Sequence, residues 1–148
     1  MDVVLGFQGA YRFMSNFYPC AVEFDGIKYK SSEAAYQASK VPVGEDWEQD
    51  KVAFAQLNAR EARRSGQLLR CLRHDWDDVK LNIMYRILRS KFSQNPDLRR
   101  KLLDTDGTYL EETNYWRDTF WGIYNGVGEN HLGRLLMVVR DEIIEGII

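Results

Sequence analysis

Two stretches of the chain gather the residue types that catalysis uses. In WRDTFWGIYNGVGENHLGRLLMVVR, Trp116 to Arg140, the carboxylate of Asp118 stands among Trp116, Phe120 and Trp121. A loop with Gly122, Gly126 and Gly128 follows, then Asn130. An acid framed by aromatics at the approach to a helix is a plausible small-molecule site, because polar groups avoid apolar surroundings unless they have a partner or a task. A turn aspartate beside core aromatics gives the same pattern. In SEAAYQASK, Ser32 to Lys40, helical spacing stacks Glu33, Tyr36, Gln37 and Lys40 on one face. That ridge offers acid, hydroxyl, amide and amine beside the small Ala34, Ala35 and Ala38. A helix-start acid followed by surface residues is the plainer alternative.

Three further segments could contribute. Gly126–Gly133 leads into a helix start, where unpaired N–H groups suit phosphate, and Gly133 in the first turn removes a side chain where a ligand could approach. No Lys-Ser/Thr follows these glycines, so they do not form a P-loop. Phe13–Pro19 places Asn16 and Phe17 where they could wall a base-binding pocket, or simply anchor the segment to the core. LRCLRHDW, Leu69 to Trp76, offers Arg70, Arg73 and Trp76 for phosphate or stacking contacts, with a capped helix start as the simpler account. No HxxxH, paired carboxylates at ligand spacing or GxSxG occurs, so metal-dependent and serine-hydrolase chemistry find no support.

The elements that must position these groups read as follows. Val3 to Phe7 is a short strand, and Asp25-Gly26 is the turn of a hairpin between Ala21–Phe24 and Ile27–Tyr29. Ser31 or Ser32 caps a helix from Glu33 to about Lys40, ended by Pro42. Asp46–Leu57 and Ala59–Ser65 read as helices, with Gly66 as a stop signal. Asp75 caps a long helix, Trp76–Phe92, that buries Leu81, Met84, Tyr85, Leu88 and Phe92. Pro96 opens a helix to Leu103, Thr108–Thr113 is a strand, and Asn130 caps a last helix with Leu132, Leu135, Leu136, Val139 and Ile143 as its buried stripe. The sum is an α+β fold: a helix-rich single domain with a small, largely antiparallel sheet.

Composition narrows the class. The chain has 148 residues, 45% hydrophobic and 28% charged, which suits one globular domain with a core. No apolar run could span a membrane and no signal-peptide pattern opens the chain, so a cytoplasmic location is expected. Two cysteines form no disulfide framework. The net charge of −2 conceals a basic middle: Lys51–Lys101 carries thirteen Lys/Arg against five Asp/Glu. That balance suits a phosphorylated substrate or nucleic acid, or a solvated helix surface.

Three segments in series, FMSNFYPCAVEFDGIKYKSSEAAYQASK, HDWDDVKLNIMYRILRSKFSQNPDLRRKLLDT and DTFWGIYNGVGENHLGRLLMVVR, resemble the NADAR family, which includes YbiA-like N-glycosidases of riboflavin-pathway intermediates. The resemblance runs from about Phe7 to Arg140. Ala34 stands where the family often has histidine, and Thr105-Asp106-Gly107 replaces a shorter Thr-Gly. The resemblance implies cleavage of a ribose–base C–N bond in a phosphoribosylamino-pyrimidine or, alternatively, removal of ADP-ribose from guanine in DNA, with no metal or organic cofactor. A phosphorylated ribosyl or ADP-ribosyl substrate, and ADP-ribosylated DNA, are the implied partners; no membrane is.

Such a reaction builds positive charge on the sugar as the base leaves. Two carboxylates with separated pKa values divide that work, and Glu33 and Asp118 are the expected pair. Trp121, beside Gly122, stacks on the base or walls the ribose. Tyr36 and Gln37 orient hydroxyls or base, and Asn130 with nearby N–H groups holds phosphate. Lys40 is either a Schiff-base nucleophile or a plain ionic contact. A module that binds nucleotides without turnover, and a nucleic-acid binder, are the readings from other classes.

Overall fold

A computed structural model describes residues 2–148. They sort into two compact units: residues up to Ser15 with Pro96–Ile148, and Asn16–Asn95.

In the Asn16–Asn95 unit, strands β2 (Val22–Phe24) and β3 (Ile27–Tyr29) pair antiparallel, with Phe24 opposite Ile27. Asp25 and Gly26 take φ of 50° and 81°, the two positive values that this tight turn needs. Helix α1 (Ser32–Ala38) is capped by Ser31, whose Oγ accepts the Ala34 N–H at 3.1 Å. Every residue of α1 is buried, so the plainer alternative, a helix-start acid followed by surface residues, does not hold. Helix α2 (Glu48–Ala53) is shorter than its expected span, because 3₁₀ turns at Glu45–Trp47 and Phe54–Gln56 take up the ends.

Helix α3 (Ala59–Gln67) starts in a capping box between Asn58 and Glu61. Gly66 does not stop it. Gly66 lies inside the helix, where a Cβ would run into the Gln37 side-chain amide, 2.7 Å from Cδ. The glycine is therefore there for close approach of α1 and α3, not for a turn. Helix α4 (Trp76–Gln94) buries Ile83, Met84, Ile87, Leu88, Lys91 and Phe92. Leu81 is exposed and Tyr85 only half-buried, so the buried face is rotated from the expected one. Asp75 does not cap this helix; its carboxylate is taken by Arg73, at 2.7 Å.

In the other unit, β1 (Val3–Leu5) pairs with β4 (Tyr109–Glu111), and the pairing is parallel. The small sheets are thus one parallel and one antiparallel pair, rather than largely antiparallel. A hairpin fixes the direction of neighbouring strands, but no turn constrains strands this far apart in sequence. Helix α5 (Pro96–Leu103) begins at its proline as expected. Helix α6 (His131–Ile144) buries Leu132, Leu136, Val139 and Ile143, and Arg140 with them. The Arg140 Nη1 donates to the carbonyls of Thr105 and Thr108, both at 2.8 Å, which ties α6 to the loop before β4.

Candidate active site

The chemistry foreseen along Ser32–Lys40 is assembled in the Asn16–Asn95 unit. Gln37 Nε2 donates to Glu33 Oε2 at 2.6 Å, one helical turn apart, which fixes the carboxylate. Lys40 follows the helix, and its N–H still bonds the Gln37 carbonyl at 3.1 Å. The Lys40 ammonium lies 5.4 Å from the Tyr36 ring centre and 5.9 Å from that of Trp76. Those two rings pack tilted at 5.1 Å. Trp76, the first residue of α4, thus closes an aromatic corner around the amine.

Burial pulls the Lys40 amine below its ordinary pKa. Glu33 opposes that shift, while the positive charges of Arg63 and Lys80 reinforce it. Asn16 Oδ1, Ser32 Oγ and Gln37 Oε1 are buried with no hydrogen-bond partner. An orphaned buried polar atom costs about 1–3 kcal/mol, so the packing around α1 holds these three at a cost. Asn16 does donate through Nδ2 to the Met84 sulfur at 3.7 Å. Phe17 is more exposed, with the Arg63 guanidinium 6.0 Å from its ring centre. Arg63 and Lys80 were not singled out by the sequence, and Ser32 only as a possible helix cap. Arg63 and Lys80 have the composition of ordinary basic helix positions, and only the packing of α3 and α4 brings them to Lys40.

The residues foreseen around Asp118 belong to the other unit. Asp118 Oδ1 accepts the N–H groups of Phe120 and Trp121 at 3.1 and 2.8 Å, an Asx turn that shapes the loop. Asn114 clamps the same residue: its Oδ1 accepts the Asp118 N–H at 3.0 Å and its Nδ2 donates to the Asp118 carbonyl at 2.8 Å. Phe120 and Trp121 pack edge to face at 4.9 Å. Trp116 instead pairs with Tyr115 and is exposed.

Asn130 does not cap α6. It sits at φ 52°, and its side chain turns toward β4. Oδ1 accepts the Glu112 N–H at 3.0 Å, while Nδ2 donates to the Leu110 carbonyl at 3.0 Å and the Tyr109 hydroxyl at 3.3 Å. The space beside Gly133 is taken by the Leu110 carbonyl and the Asn130 amide, which a Cβ would strike. Gly122 is packed as tightly, with a Cβ falling 2.7 Å from Asn114 Nδ2 and 2.9 Å from Glu112 Cγ.

That packing surrounds a residue the sequence reading passed over. Glu112 is buried, and its Oε2 has no hydrogen-bond partner. Burial, with a further contribution from the Asp118 charge, pushes its carboxyl up to about 7. Its position just beyond β4, next to the more exposed Glu111, was the available signal. Alternation along a strand turns one of two neighbouring acids inward. Among the described residues, no group of three or more His, Cys, Asp or Glu side chains could hold a metal ion.

Comparison with known proteins identifies the family. The NADAR domain matches residues 6–144. The chain belongs to the NADAR family. It is 38% identical to an N-glycosidase of Nostoc punctiforme, over 90% of this chain and 86% of that one. It is 33% identical to the N-glycosidase YbiA of Shigella boydii, over 96% and 89%. A riboflavin biosynthesis protein of Vibrio vulnificus is 42% identical over 90% of this chain, which spans 36% of that longer protein. The solution structure of Escherichia coli YbiA superposes with a TM-score of 0.83 at 31% identity, covering 99% of this chain and 88% of that one. The NADAR fold is therefore the fold of this chain.

Proposed function

We propose that the chain is an N-glycosidase that hydrolyses the C–N bond between a phosphorylated ribose and a nitrogenous base, with a phosphoribosylamino-pyrimidine of the riboflavin pathway as its substrate. The observation that carries this reading is the Glu33–Lys40 cluster: a fixed carboxylate, a desolvated amine and two packed rings beside three buried polar atoms without partners. The names of the Nostoc and Shigella relatives support the reaction class, and that of the Vibrio relative supports the pathway.

As the base departs, positive charge grows at the anomeric carbon, and the Glu33 carboxylate offsets it. Lys40, its proton loosened by burial, supplies the amine that attacks that carbon; the C–N electron pair leaves with the base, which takes up the proton the attacking amine loses, and water later releases the sugar and restores the amine. Tyr36 and Trp76 stack on flat groups, Gln37 holds Glu33, and Asn16 and Phe17 extend the wall. Arg63 and Lys80 draw the phosphate by charge. In the other unit, Asp118 Oδ1 holds the turn that carries Phe120 and Trp121. Asn130, Gly122 and Gly133 act by shaping the backbone there. The location proposed is the cytoplasm; Cys20 and Cys71 are free, and no helix among the described residues is long and apolar enough to cross a membrane.

The test is a parallel assay of the purified chain on the phosphoribosylamino-pyrimidine and on DNA carrying ADP-ribosylated guanine, following free base and released sugar. Release from the first supports the proposal. Release from the second alone would replace the substrate, and binding without release of either would make the chain a nucleotide-binding module.

A further inference from the structure

Two of the basic groups beside the α1 cluster already hold an acid. Arg73, whose backbone N–H bonds the Lys40 carbonyl at 2.9 Å, donates through Nε to Asp75 at 2.7 Å. Lys80 lies 3.3 Å from the Asp77 carboxylate. Arg63, exposed on α3, differs: no carboxylate among the described residues lies within ion-pair distance of it. Its guanidinium rests against the Phe17 ring instead, 6.0 Å from the ring centre. A ring attracts the guanidinium charge without consuming its N–H donors, whereas a carboxylate takes them up.

Both ends of that contact are fastened to α1. Phe17 follows Asn16, whose carbonyl accepts the Glu33 N–H at 3.0 Å. Arg63 stands one turn before Gly66, whose missing Cβ lets α3 close on Gln37, and Gln37 holds Glu33 at 2.6 Å. Guanidinium and carboxylate therefore share one frame, and the Arg63 charge is felt at the Lys40 amine. Arg60 and Arg64 are exposed on the same helix, but among the described residues neither lies against an aromatic ring. An open fork of donors, held in place beside a ribosyl site, suits phosphate, whose oxygens take two N–H groups at once.

We propose that Arg63 is the specificity-determining residue of this site: it takes the ribose phosphate in direct contact, and through it the phosphorylated riboside is preferred to the bare one. This rests on the N-glycosidase reading and names the side chain that reads the phosphate. The phosphate takes no part in breaking the C–N bond, so the contact sorts substrates by binding and leaves the chemical step to the α1 cluster.

The experiment measures kcat/KM on the phosphoribosylamino-pyrimidine and on the same riboside without its phosphate, with the slower substrate read as single turnovers at excess enzyme. Arg63→Met is expected to lower kcat/KM on the phosphorylated substrate about 10²-fold, through KM, and to stay within about 3-fold of wild type on the bare riboside. Arg63→Lys keeps the charge but not the fork and should lose about 10-fold, again on the phosphorylated substrate alone; it also answers should Arg63→Met not fold. Arg64→Met removes the same charge from the same helix and stays within about 3-fold on both substrates, since a screened surface charge adds little. Equal loss on both substrates in the Arg63 variants, no loss on the phosphorylated one, an Arg64→Met loss matching that of Arg63→Met, or a wild type indifferent to the phosphate overturns the proposal. Wild type that cleaves neither substrate refutes the N-glycosidase reading itself, a result separate from these.

Discussion

The side-chain oxygen of Asn130 accepts the backbone N–H of Glu112 at 3.0 Å, so the residue that leads into α6 fixes the end of β4. With the bonds to Leu110 and Tyr109, one buried amide joins strand to helix. Asn130→Ala leaves the Glu112 N–H and the Leu110 carbonyl without partners and keeps a non-glycine residue at φ 52°. It is expected to cost about 2–4 kcal/mol in urea unfolding. Asn130→Gly relieves the backbone but loses the same bonds, and should fall between Ala and wild type.

Gly66 makes a prediction opposite to helix propensity. In a free helix, glycine to alanine gains about 1 kcal/mol. Here the added Cβ displaces the Gln37 amide, which holds Glu33 at 2.6 Å. Gly66→Ala is expected to lower kcat/KM by about 10-fold or more, with the folded state retained, because it unseats a positioned carboxylate. Steady-state kinetics alongside a thermal melt check this; unchanged kinetics would mean that the Glu33–Gln37 pairing has no part in the reaction.

Two buried groups set opposite pH slopes on stability. Glu112 holds its proton up to about 7, against an ordinary 4.5. Between these values the folded chain keeps a proton that the unfolded chain has released, so stability falls as pH rises, by on the order of 3 kcal/mol across the window. Glu112→Gln should flatten that fall and be the more stable protein at pH 8, as urea unfolding at about pH 5 and pH 8 will read.

Lys91, fully buried on α4, gives the reverse at higher pH. Burial brings its amine down to about 8, partly countered by the nearby Cys20. Between about 8 and its ordinary 10.5 the unfolded chain binds the extra proton, and stability rises with pH, again by on the order of 3 kcal/mol. Lys91→Met should abolish the rise in the same unfolding series.

What the sequence made legible follows the range of the interaction behind each feature. The Asp25-Gly26 turn, the Ser31 cap, the Pro96 helix start and most of the α6 stripe depend on neighbours a few residues away, and each stands where the local pattern put it. Gly66, Gly133 and Asn130 carry the same local signatures as a stop, an opening and a cap. Their roles are decided by partners far along the chain. The parallel β1–β4 pairing and the burial of Lys91 have no local cause at all, while for Glu112 alternation past β4 says only that one of two neighbouring acids turns inward. On the site side, the spacing of Glu33, Tyr36, Gln37 and Lys40 was readable. Their enclosure by Trp76 and their nearness to the Arg63 and Lys80 charges needed the packing of α3 and α4.

A ribosyl C–N bond broken by the α1 cluster makes turnover of the phosphoribosylamino-pyrimidine depend on both Glu33 and Lys40, and comparing wild type with Glu33→Gln and Lys40→Met reads that dependence. Wild type is expected to release ribose 5-phosphate steadily and each variant to lose about 10²-fold or more, with the thermal melts of all three proteins close together. Full release by either folded variant, or none by wild type, would contradict it.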